Sequence, residues 1–121
     1  MQIDGTWVNQ NGSTVELEAD PSGQLTGYYC SRKGRAASGK RYPLIGQLND
    51  EVIAFQVNWQ DDEDNLRSIT SFSGRLGRDA EGDFIHAVWV LVRQWEDEER
   101  TRPTGTWNAF LTNSDVFHRS E

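Results

Sequence analysis

Gly5-Thr6-Trp7-Val8-Asn9-Gln10-Asn11-Gly12-Ser13-Thr14, reading GTWVNQNGST, decides the fold class because it alternates on both sides of a tight turn. Gly5, Trp7 and Asn9 share one face of a strand. Beyond Asn11-Gly12, Ser13, Val15 and Leu17 share a face while Thr14, Glu16 and Glu18 oppose it. The charged face belongs outside. Asn-Gly between two alternating runs is a hairpin signal, because both residues tolerate the backbone angles that a short turn between twisted strands requires.

The same alternation continues outward from this hairpin, and no window keeps the i, i+3, i+4, i+7 apolar spacing of an amphipathic helix. Strands are expected over residues 5–10, 13–19, 24–31, 40–48, 51–60, 67–76, 85–94 and 105–118. Asn11-Gly12, Asp20-Pro21-Ser22-Gly23, Asn49-Asp50 and Asp79-Ala80-Glu81-Gly82 are turn compositions of hairpin length, so consecutive strands should pair antiparallel. The expectation is an all-β chain, an eight-stranded antiparallel up-and-down β-barrel, with residues 1–121 as one domain. Longer connections fall at 32–39 and 96–103, with a short acidic one at 61–65. Loops of this kind at a barrel mouth serve as lids or interface elements, and solvated charge is the plain alternative for the two acidic ones.

Composition narrows the partners. Nineteen acidic against twelve basic residues give a net charge of −7, which repels phosphate backbones, so nucleic acid is not expected. No apolar run approaches the roughly 20 residues of a membrane-spanning helix, and no membrane partner is expected. Met1-Gln2-Ile3-Asp4 lacks the charged-then-apolar layout of a signal peptide. Cys30 is the one cysteine and falls on an outward face, so no internal disulfide can form.

Parity then sorts the interior. Leu25, Gly27, Tyr29 and Ser31 point in; so do Ile53, Phe55, Val57 and Trp59, then Ser68, Thr70, Phe72 and Gly74, then Ile85, Ala87, Trp89 and Leu91. Apolar members collect toward one end. Asn9, Ser13, Tyr29, Ser31, Ser68 and Thr70 collect at the strand ends beside the longer loops. Each such group costs roughly 1–3 kcal/mol if buried unpaired. A hydrogen-bonded network with ordered water would satisfy them, and so would a ligand; the aromatics Trp59, Phe72 and Trp89 beside them favour a ligand with an apolar body and a compact polar head.

GTWVNQNGST, then Leu25-Thr26-Gly27-Tyr28-Tyr29, Ser68-Ile69-Thr70-Ser71-Phe72-Ser73-Gly74, Val88-Trp89-Val90-Leu91, and Trp107 followed by Asp115-Val116-Phe117, resemble the avidin and streptavidin family in order and spacing over nearly the whole chain. The resemblance implies biotin as the bound ligand, with no catalysis, no metal and no cofactor. It implies that Asn9, Ser13 and Tyr29 surround the ureido oxygen as donors, that Ser31 and Asp115 accept from the two ureido N–H groups, and that Thr70 lies beside the ring sulfur. Ser68 would meet the valerate carboxylate, and Trp59, Phe72, Trp89 and Leu91 would form the walls. Arg35 falls where an amide would meet the carboxylate in the family; a surface Arg without that role is the alternative. Trp107 corresponds to a residue lent to a neighbouring subunit's site, which implies a homotetramer, with a dimer as the other option because Thr112 and Ser114 replace usual interface contacts. Family resemblance also implies a secreted or periplasmic location.

Two rival classes are weaker on the residues. A calycin-like small-barrel carrier of another ligand predicts a deep apolar pocket rather than a ring of donors. An enzyme would need a base or nucleophile inside, yet parity turns His86 and His118 outward, and Asp115 alone does not make a two-carboxylate mechanism.

Overall fold

The computed structural model describes residues 2–32, 40–60, 67–94 and 109–120. Arg35 and Trp107, and most of the loops at 32–39, 61–65 and 96–103, lie outside the described residues. Eight strands run β1 Gly5–Asn9, β2 Thr14–Ala19, β3 Gln24–Cys30, β4 Tyr42–Asn49, β5 Val52–Asn58, β6 Ser68–Asp79, β7 Gly82–Arg93 and β8 Phe110–Arg119. Each pairs antiparallel with the next, and β8 returns to β1 to close the barrel. The expected eight-stranded antiparallel barrel is the observed fold.

Closure rests on three pairings between β1 and β8: Trp7↔Arg119, Val8↔His118 and Asn9↔Phe117. A small barrel bends its strands tightly, and the bend is permitted where a side chain is missing. A Cβ on Gly27 would collide with the Glu16 carbonyl on the neighbouring strand. Any larger residue there would push β2 and β3 apart.

The interior follows the alternation. Trp7, Val15, Leu25, Ile53, Val57, Ile85 and Phe117 are fully buried, while Glu16, Glu18, Thr26 and His86 are exposed. One end is plugged by Ile3 and Trp7. The Trp7 indole donates to the Ile3 carbonyl at 3.0 Å, and the Arg119 guanidinium lies 4.4 Å over the Trp7 ring while donating to the carbonyls of Asp4 and Gln2. Gln2, Ile3 and Asp4 thereby cap the barrel floor.

Among the described residues, two connections differ from expectation. β6 and β7 extend to Asp79 and from Gly82, leaving Ala80-Glu81 as the turn, because Arg78 and Asp83 pair across the strands at 2.7 Å and carry the ladder past the apolar stretch. The β4–β5 turn is Asp50-Glu51 rather than Asn49-Asp50: Asn49 pairs with Val52, and Asp50 takes the left-handed conformation with φ of 53°, which a short polar side chain tolerates. β8 begins at Phe110; positions 105–108 of the expected strand lie outside the described residues.

Candidate functional site

Up-and-down topology delivers the C-terminal ends of odd strands and the N-terminal ends of even strands to one mouth. There Asn9 closes β1, Ser13 precedes β2, Tyr29 and Ser31 end β3, Trp59 follows β5, and Ser68 and Thr70 open β6. Asn9, Ser13, Tyr29, Ser31, Trp59, Thr70, Phe72 and Asp115 are all buried. Ser68, Trp89 and Leu91 are half-buried.

The turn orients Asn9. Its side-chain Oδ1 accepts the backbone N–H groups of Asn11 at 2.9 Å and Ser13 at 3.0 Å, an arrangement only a carbonyl oxygen can satisfy. Its Nδ2 therefore faces the interior, 3.3 Å from the Tyr29 hydroxyl and 3.3 Å from Asp115 Oδ2. The Gly12 φ of 85° makes that turn possible. Ser13 Oγ accepts the Arg32 N–H at 2.9 Å.

Tyr29 is the hub of the polar group. Burial foremost, then the charge of Asp115, pushes its phenol above the ordinary value of 10.0, outweighing the opposing hydrogen bonds from Ser13 and Asn9. It is a neutral hydroxyl across physiological pH. The site thus combines an amide NH₂, two hydroxyls and one carboxylate within a few ångströms, a set able to donate to a carbonyl oxygen and to accept from an adjacent N–H.

Asp115 is held by a residue that sequence reasoning missed. Gln10 Nε2 donates to Asp115 Oδ1 at 2.8 Å, and Gln10 Oε1 accepts the Val116 N–H at 3.0 Å. Because the β1–β8 ladder ends at Asn9↔Phe117, the side-chain amide continues the pairing one step after the backbone has turned away.

Aromatic rings form the remaining wall. Tyr29 meets Trp59 edge-on at 5.2 Å and stacks with Phe72 at 5.7 Å; Phe72 stacks with Phe55 at 4.6 Å and meets Phe117 at 6.1 Å. The Trp59 indole donates to Thr70 Oγ1 at 2.7 Å, which fixes both side chains. Tyr42, also unremarked in the sequence, braces Trp59 at 4.9 Å; its signal was the inward parity of Tyr42 and Leu44. Trp89 pairs in register with Phe72, and Leu91 with Thr70. The Trp89 Nε1 is buried and has no hydrogen-bond partner among the described residues. Ser68 stands at the rim, where its carbonyl accepts the Trp59 N–H at 2.9 Å.

Among the sequence-derived site residues, direct contacts join Asn9 to Tyr29 and Asp115, Tyr29 to Trp59 and Phe72, and Trp59 to Thr70. Trp89 and Leu91 stand beside Phe72 and Thr70 by register, Ser13 and Ser31 are buried at the same strand ends, and Ser68 stays at the rim. Arg35 and Trp107 lie outside the described residues.

Against known proteins, the sequence model of the avidin family matches residues 1–120. Afifavidin from Afifella pfennigii is 34% identical over 93 residues, which cover 76% of this chain and 58% of afifavidin. The matched stretch is thus less than two thirds of that relative's length. Among solved structures, apo shwanavidin aligns with a TM-score of 0.81 at 28% identity, covering 99% of this chain and 100% of its own. A rhizavidin–biotin complex aligns with a TM-score of 0.79 at 28% identity, covering 96% and 98%.

Proposed function

Since the chain belongs to the avidin family, we propose that it binds biotin without catalysis in the open end of the barrel. The observation that carries this reading is the inward amide of Asn9, which its turn holds 3.3 Å from both the Tyr29 hydroxyl and the Asp115 carboxylate. A cyclic urea offers the matching groups: one carbonyl oxygen flanked by two N–H donors. Asn9, Ser13 and Tyr29 would meet the oxygen, and Asp115 and Ser31 the two N–H groups. The ring system would lie against Trp59, Phe72, Trp89 and Leu91, with Thr70 near the sulfur. The carboxylate tail would leave past Ser68 toward Arg35. The turn that fixes the Asn9 amide and its hydrogen bonds to Tyr29 and Asp115 would leave little freedom to be lost on binding.

A homo-oligomer is part of the proposal. Ile69, Val88, Val90, Val92 and Phe110 stand exposed on the outer faces of three adjacent strands, β6, β7 and β8. An apolar stripe of this kind is suited to burial against another subunit. Trp107 would reach a neighbouring subunit's site, so that each pocket is completed by its partner.

Titration calorimetry with biotin and with desthiobiotin tests the ligand. The expected result is saturable binding of both, one ligand per chain. Absence of heat and of any thermal shift at micromolar protein would overturn the assignment.

A further inference from the structure

At the opposite end of the barrel, the turn between β6 and β7 carries Asp79 and Glu81, and the last residues of β8 carry His118. They meet because β7 pairs with both neighbours: Asp79↔Gly82 closes the hairpin and Phe84↔His118 sets the imidazole on the adjacent strand. His118 Nε2 lies 3.5 Å from Glu81 Oε2 and 3.7 Å from Asp79 Oδ2. One donor atom from each of the three residues lies within 4.8 Å of the other two.

The imidazole nitrogen is buried from solvent and makes no hydrogen bond to any described residue, although two carboxylate oxygens flank it. No Arg or Lys among the described residues pairs with Asp79 or Glu81. The nearby cations are committed elsewhere: Arg78 and Arg119 both bond Asp83, at 2.7 and 3.1 Å. Asp79 Oδ1 accepts the Glu81 N–H at 2.8 Å, which leaves Oδ2 turned to the imidazole. The Phe84 ring packs against His118 at 6.4 Å between centroids.

We propose that Asp79, Glu81 and His118 form a binding site for a divalent transition-metal ion, zinc foremost. A tetrahedral ion with bonds of roughly 2.0–2.1 Å holds its ligand atoms about 3.4 Å apart. The separations of 3.5 and 3.7 Å lie about 0.1 and 0.3 Å above that edge and well beyond an ordinary charge-assisted hydrogen bond. One imidazole and two carboxylates are ligands that zinc accepts, whereas magnesium and calcium favour oxygen alone. Water would complete the shell. The ion would tie the β6–β7 hairpin to β8 and stabilise the barrel by binding the folded state alone.

The test uses the full chain without an affinity tag, stripped of metal by chelator. Zinc chloride is titrated by calorimetry, and cobalt(II) by its visible absorption. The expected result is one saturable zinc site per chain, a melting temperature raised by zinc, and a cobalt spectrum of low coordination number. His118→Ala and Glu81→Gln should each weaken zinc binding by roughly 10-fold or more. Lack of saturable heat, or zinc binding unchanged in Glu81→Gln, would overturn the site. The Glu81 variant alters an exposed turn residue, so it decides the matter even where His118→Ala fails to fold.

Discussion

The amide nitrogen of Asn9 stands 3.3 Å from Asp115 Oδ2 across 106 residues of chain. One residue ends the first strand and the other lies within the last, so the contact exists only because the barrel closes. It joins the one buried carboxylate among the described residues to an NH₂ group whose direction the turn has already set. Asp115→Asn keeps the shape and removes the charge. A hydrogen bond to a charged acceptor contributes about 1.5–3 kcal/mol, so biotin binding should weaken by roughly 10- to 150-fold, and the unliganded fold should lose stability as well, because Asn9 and Gln10 both donate to that carboxylate. An unchanged calorimetric affinity would contradict the role given to Asp115.

Gln10 touches Asp115 and the Val116 backbone. Gln10→Ala should weaken biotin binding by about 1 kcal/mol, roughly fivefold, by freeing the carboxylate to rotate. Gln10→Glu should do more harm, since it sets a second negative charge against Asp115. Equal affinities for wild type and Gln10→Glu would dismiss the positioning role.

Trp59 and Thr70 satisfy each other at 2.7 Å in a buried setting. Thr70→Val nearly preserves volume and leaves the indole N–H without its partner. The loss of stability should be about 1–3 kcal/mol, read by thermal or urea unfolding of the unliganded protein. Thr70→Ser should restore most of it.

Alkali should destabilise the fold through Tyr29. Its folded pKa is raised above the ordinary 10.0 by burial and by Asp115, so above that pH the unfolded chain releases the phenolic proton while the folded chain retains it. The stabilising contribution is complete below pH 10.0 and is lost as pH climbs toward the folded value. Unfolding free energy should therefore decline above that pH, and Tyr29→Phe should flatten the decline. Identical alkaline slopes for the two proteins would rule this out.

The outer stripe and Trp107 make separable predictions. Val90→Lys places a charge within the exposed apolar surface of β6–β8, and light scattering should register a smaller particle. Trp107→Lys should hasten biotin release with less effect on particle mass. Release rates that ignore Trp107 would show that each pocket is complete within its own subunit.

The strand alternation made the two faces of the wall legible. Period two alone put Trp7, Asn9, Ser13, Val15, Tyr29, Phe72 and Asp115's neighbour Phe117 on the buried side, and turned Glu16, Glu18 and His86 to solvent, as the structure has them. It also located the polar mouth, because turn residues and hydroxyl-bearing positions cluster at the same strand ends. Gln10 escaped notice for a definite reason. By parity it points outward, and only at the end of β1, where the backbone ladder stops, can its side chain cross to β8. The extra length of β6 and β7 was hidden in the same way, since the Arg78–Asp83 pair reads as loop charge until the two strands are known to be opposite each other.

Which side chains enter the barrel is a local property, dictated residue by residue by the extended backbone and the cost of burying charge. Which of them meet is not. Asn9 with Asp115, Trp59 with Thr70 and His118 with Asp79 and Glu81 are juxtaposed by strand register and by the closure of β8 on β1. The direction of the Asn9 amide likewise follows from backbone donors that converge only once the turn is formed. A linear pattern carries the faces of a strand, but distance between strands arises only when the sheet curls shut.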